Sequence, residues 1–101
     1  MIKNDYKELQ VMLKDAFAKV CIGYGQFEDA LRQAFAMNDI RAARNVAVLL
    51  KCDKNALVLE VPGYEAVLRS LLHNDCNLWF SAEACATLDD QVELLIMATG
   101  F

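Results

Sequence analysis

An α/β layered fold built on a mixed sheet is the class this sequence predicts, and three observations carry that reading. Amphipathic helical patterns alternate with short apolar runs, as in folds that pack helices on a sheet. The run "NVAVLLKC" at 45–52 is apolar almost throughout and rich in branched residues, which suits a strand covered on both faces. The chain has 101 residues and is 56% hydrophobic, enough for one core without disulfide staples. Residues 1–101 read as a single domain, with no repeat, low-complexity segment or linker. Two topologies compete over residues 56–61. A helix there completes an α-β-α sandwich, whereas a strand makes the middle of the chain β-α-β-β-α-β, a ferredoxin-like α+β fold.

The elements follow in order. Tyr6, Leu9, Met12, Leu13, Ala16, Phe17 and Val20 recur at helical spacing and predict a helix over 5–20, capped by Asn4 or Asp5. "VCIGYG" then reads as a short extended piece ending in a turn, where Gly23 and Gly25 supply backbone freedom. Phe27, Ala30, Leu31, Ala34 and Phe35 form the apolar stripe of a second helix. Glu28 and Asp29 occupy its first turn, where the helix dipole favours negative charge. "MNDIRAARN" breaks the pattern, with room for one short helical turn. The strand at 45–52 is followed by a turn-like "DKN" at 53–55.

"ALVLEV" at 56–61 is open. Pro62 biases Val61 towards an extended shape, which allows a strand paired back on 46–51, and a helical lead-in is equally compatible. Tyr64, Val67, Leu68, Leu71 and Leu72 then predict a helix over 64–74, with Pro62 in its first turn and Asn74 as terminator. "NLWF" at 77–80 reads as a strand, "SAEACATL" as a short helix or loop, and "VELLIM" at 92–97 as a closing strand.

Composition narrows the function. No run approaches the roughly 20 apolar residues of a membrane-spanning helix, and "MIKNDYKELQ" does not have the order of a secretory signal. The expected location is the cytoplasm and nucleus. Ten basic residues against fourteen acidic ones leave a net charge of −4, which disfavours nucleic acid, whose affinity draws on Lys and Arg. Cys21, Cys52, Cys76 and Cys85 contain no CxxC pair, so they read as small apolar residues. His73 and Cys76 lack a third orienting group for nucleophilic catalysis. Glu83, Asp89 and Asp90 lack the Gly-bearing loop of a calcium site. "GYGQF" has neither the third glycine of a dinucleotide fingerprint nor the Gly-Lys of a phosphate loop. No enzyme activity, cofactor or metal is expected. The surplus of apolar residues around 57–72 instead predicts a self-associating face.

"LQVMLKDAFAKVCIGYGQFEDALRQAF" resembles the growth arrest and DNA-damage-inducible family, which shares an α-β-α sandwich with the kink-turn RNA-binding ribosomal proteins. Gly25 and Glu28 occupy the superfamily's glycine and glutamate places. Phe27 stands where the RNA-binding branch has asparagine, and Leu31 where it has lysine. "NVAVLLKCD", "LLHNDCNLWF" and "VELLIM" are similar to the family's central strand, its third helix with the following strand, and its last strand.

The resemblance implies a non-enzymatic regulatory adaptor of stress response and cell cycle that binds signalling proteins such as a MAP kinase kinase kinase. It implies a homodimer built on Tyr64, Leu68, Leu71 and Leu72 with Phe27 and Leu31. Glu28, Asp29, Asp89 and Asp90 would meet basic partners. The alternative is an RNA-binding module of the kink-turn superfamily, which needs a basic surface around Gly25, Arg32, Arg41 and Arg44.

Overall fold

The computed structural model describes residues 18–86, 88 and 91–101. The elements run β1 (Lys19–Gly25), α1 (Phe27–Met37), β2 (Asn45–Cys52), α2 (Lys54–Leu59), α3 (Val61–Leu71), β3 (Asn77–Ala84) and β4 (Val92–Thr99). They form one mixed four-stranded sheet in the order β1-β4-β2-β3. β4 is antiparallel to both β1 and β2, and β3 is parallel to β2. The predicted α/β class with a mixed sheet is the observed one.

Residues 56–61 are helical in α2 and the start of α3, so the ferredoxin-like alternative falls. The reason lies in the sheet. β2 is central, and both its edges are taken, by β3 on one side and β4 on the other, so a strand at 56–61 cannot pair back on 46–51. The Asp53 side chain accepts a 2.8 Å bond from the Ala56 amide and starts a helix instead. Pro62 lies in the first turn of α3, where its missing N–H costs nothing.

Three boundaries also differ from the sequence expectation. Of the predicted 5–20 helix, residues 5–17 lie outside the described residues, and Lys19 and Val20 belong to β1, paired with Ala98 and Met97. "SAEA" is not helix or loop but the second half of β3. The β2 partnership holds it, with Lys51 opposite Glu83 and 3.9 Å between their charged groups. α3 ends at Leu71, and the turn after it is held by Arg69, which donates 2.6 Å bonds to the carbonyls of Asn74 and Cys76.

Strand alternation divides the sheet into two faces. Cys21, Val46, Val48, Leu50, Phe80, Leu94 and Ile96 point to one face, where Phe27, Ala30, Ala34, Val61 and Leu68 close the core over them. Two glycines set how α1 joins this core. Gly25 has φ +121° at the strand-to-helix turn. Gly23 lies so close beneath α1 that a Cβ there would collide with the backbone of Ala30.

α1 also finishes the outer edge of β1. The Gln33 side chain accepts from the Tyr24 amide at 3.2 Å and donates to the Tyr24 carbonyl at 2.9 Å. Asn38 donates to the Val20 carbonyl at 2.8 Å, and Met37 Sδ lies 3.2 Å from the Ile22 nitrogen. Side chains thus take the places of a further strand, which protects this edge from pairing with another chain.

Candidate interaction surfaces

The second face of the sheet carries none of the described helices. Its side chains fall in three rows that follow from the register. The first runs Val20, Met97, Ala47, Trp79; the second Ile22, Leu95, Leu49, Ser81; the third Tyr24, Glu93, Lys51, Glu83. Burial is graded across these rows. Ala47 and Trp79 are buried at one corner, whereas Val20, Ile22 and Tyr24 on β1 are 40%, 54% and 49% exposed. A shallow cavity of about 330 Å³ opens on the β1 side of this face, lined by Ile22, Tyr24, Leu49, Leu95 and the charged pair Lys51 and Glu93. An apolar floor beside an alternating Glu–Lys–Glu row suits docking, because burial supplies affinity and the charges set the register.

A second surface lies between α1 and α3. The Phe27 and Tyr64 rings stack at 3.9 Å between centroids, with 14° between planes, and tie the two helices together. A groove of about 670 Å³ runs beside them, lined by Leu31, Val67, Glu28, Asp29 and Glu60. It continues into a cavity of about 460 Å³ lined by Leu31, Phe35, Leu71, Arg32, Asp39 and Arg41.

The sequence-predicted residues separate on these surfaces. Phe27, Leu68 and Leu72 are core residues, at 9%, 0% and 6% exposure, and have little surface to offer a second molecule. Leu31 and Tyr64 are half-buried and Leu71 is 38% exposed, all along the groove. Glu28 and Asp29 are exposed in the first turn of α1, with Asp29 held by Arg32 at 3.0 Å. Asp89 and Asp90 lie outside the described residues. Sequence reading missed Val20, Ile22 and Tyr24. The available signal was that "VCIGY" has its bulky side chains at alternate positions and only Cys21 and Gly23 between them. The bulky set therefore faces away from the tightly packed helix.

Three of the four thiols belong to the packed core. Burial raises the thiols of Cys21, Cys52 and Cys76 above the ordinary range, opposite to the shift that activates a nucleophile. His73 accepts a 3.1 Å bond from the Asp75 amide through Nδ1. Among the described residues no three His, Cys, Asp or Glu side chains stand close enough to hold a metal ion. Of the basic residues an RNA surface would draw on, two are already paired with carboxylates. Arg41 is paired with Asp39 at 3.1 Å and Arg32 with Asp29.

The sequence matches no protein-family model and no curated protein. Solved structures do match. FtsZ from M. jannaschii, solved as an empty dimer, superposes with a TM-score of 0.83 at 18% identity over 99% of this chain and 32% of its own. CetZ1 from Haloferax volcanii, a GDP-bound monomer, gives 0.71 at 12% identity over 98% and 34%. TubZ from Bacillus thuringiensis serovar israelensis, in GDP-form protofilaments, gives 0.68 at 12% over 96% and 30%. The chain thus spans about a third of the length of each.

These neighbours overturn the resemblance to the growth arrest and DNA-damage-inducible family and to the kink-turn proteins. With it go the stress-response, DNA-damage and cell-cycle adaptor reading, the kinase partners and the RNA-binding alternative. The misleading feature was local. A glycine turn, an acidic first helical turn and an apolar stripe describe many strand-to-helix junctions, whereas the order β1-β4-β2-β3 is a property of the whole sheet. The superposition gives the chain a fold like that of the FtsZ C-terminal domain.

Proposed function

We propose that this chain is an assembly domain that acts by docking and not by catalysis, and that it self-associates through the open face of its sheet. The carrying observation is the apolar corner formed by Val20, Ile22 and Tyr24, which stays open on a face without described helices. The protected β1 edge supports face docking over strand pairing, since Gln33 and Asn38 already occupy the backbone groups an added strand would use. The neighbours support self-association, because FtsZ was solved as a dimer and TubZ as protofilaments. A second reading rests on length. In each neighbour the matching third belongs to a chain about three times as long, so the same face is suited to meeting another region of such a protein.

Sedimentation velocity across a range of concentrations tests self-association. The wild-type chain is expected to exceed its monomer mass of 11.3 kDa as concentration rises. Ile22→Lys with Tyr24→Lys, both at exposed positions, is expected to hold it at that mass. A wild type that remains monomeric throughout refutes docking between copies and leaves the second reading standing.

A further inference from the structure

We propose that the groove between α1 and α3 is a docking site for a basic amphipathic helix, independent of the sheet face. Its floor is Leu31 and Phe35 on α1 with Val67 and Leu71 on α3, at the i, i+4 spacing that presents ridges to an incoming helix. Val67 and Leu71 are 42% and 38% exposed there, so the floor is open. Each flanking helix has 11 residues, which makes the groove about 16 Å long, room for some three helical turns.

Charge selects the occupant. One end is lined by Glu28, Asp29 and Glu60 with no basic residue, and since Asp29 is paired with Arg32 the uncompensated charges there are Glu28 and Glu60. Glu28 and Glu60 form no ion pair with any described residue. At the other end Arg32 and Arg41 are each neutralised, by Asp29 and Asp39. The groove is therefore acidic at one end and balanced at the other. A helix with lysines flanking an apolar stripe satisfies both parts, and it lies with its positive N-terminal end towards Glu28 and Glu60. A neutral apolar helix would leave those carboxylates without partners, and an acidic one would be repelled.

The test uses the 101-residue chain and a fluorescein-labelled 14-residue Leu/Lys peptide with leucines at helical i, i+3, i+4, i+7 spacing, read by anisotropy. The Leu/Lys peptide binds and its Leu/Glu counterpart does not. Glu28→Lys with Glu60→Lys weakens binding tenfold or more, while Glu83→Lys with Glu93→Lys, the same charge change on the sheet face, weakens it less than threefold. Val67→Ser, which keeps every charge, also weakens binding several-fold. Circular dichroism of each variant confirms that it is folded. Absence of binding, equal losses from the two charge reversals, or indifference to Val67→Ser overturns the proposal. A peptide-independent doubling of mass that Val67→Ser abolishes overturns it in favour of a second copy of this chain.

Discussion

Replacing Gly23 by alanine and replacing Gly63 by alanine add the same methyl group, and the structure predicts opposite outcomes. At Gly23 the new Cβ would overlap the carbonyl oxygen of Ala30 and meet its carbonyl carbon and Cα at 2.6 and 2.8 Å. Carbon contacts are comfortable near 3.5–4.0 Å and the oxygen overlap is the more severe, so α1 must lift from β1 by more than about 1 Å. The obstacle is helix backbone, which cannot rotate aside as a side chain would. Overpacking of this kind costs about 1–3 kcal/mol. Lifting α1 also stretches the paired Gln33 bonds to Tyr24, which adds about 1 kcal/mol. The reduced freedom of the unfolded chain returns about 0.4–1 kcal/mol.

The net loss is about 2 kcal/mol, a fall in melting temperature of about 10 °C for a domain of this size. At Gly63 a Cβ meets nothing within 4 Å, and the residue lies in the first turn of α3. Alanine there stabilises by about 0.5–1 kcal/mol, through helix propensity and the unfolded state. Thermal and urea unfolding of the two variants, followed by circular dichroism, decides the matter. If Gly23→Ala lies within about 0.5 kcal/mol of wild type, α1 does not pack on β1 as closely as described.

Two further predictions concern the core. Leu68→Ala removes a side chain with no exposed surface and is expected to cost about 2–5 kcal/mol, whereas Leu71→Ala, at 38% exposure, costs well under half as much. Equal losses in urea unfolding would show that α3 is turned differently about its axis. Stability is also expected to fall as pH rises above about 8.5, the ordinary thiol value. Cys21, Cys52 and Cys76 have raised folded-state values, chiefly from burial, so the unfolded chain loses thiol protons first and alkali draws the equilibrium towards it. Tyr64, raised by burial and by Glu60, extends the loss above about pH 10. A urea midpoint that stays level or rises from pH 8 to pH 10 contradicts this.

How much of this was legible depends on the range of the interaction responsible. The α1 stripe was readable because Phe27, Ala30 and Ala34 meet one surface at helical spacing, and β2 because its branched apolar run matches a central strand that buries Val46, Ala47, Val48 and Leu50. Residues 56–61 were not readable, since their apolar run satisfies either period. The choice was made by β3 and β4 occupying both edges of β2. The second half of β3 was hidden in the same way, because "SAEA" has helix-forming residues and becomes a strand only through pairing with Leu49–Cys52.

The candidate surfaces divide along the same line. Acidic character at Glu28 and Asp29, the apolar face of α3 and the tight turn at Gly25 are consequences of local order in the chain, and the sequence by itself determined them. Which leucines of α3 are spent in the core, which remain in the groove, and why the bulky residues of β1 face outward were decided by the tertiary structure. Gly23 shows the physical reason. By lacking a side chain it lets α1 approach β1 closely, which puts Cys21 inside and leaves Val20, Ile22 and Tyr24 on the open face. A glycine reads in sequence only as freedom, and it becomes a contact only when another element arrives.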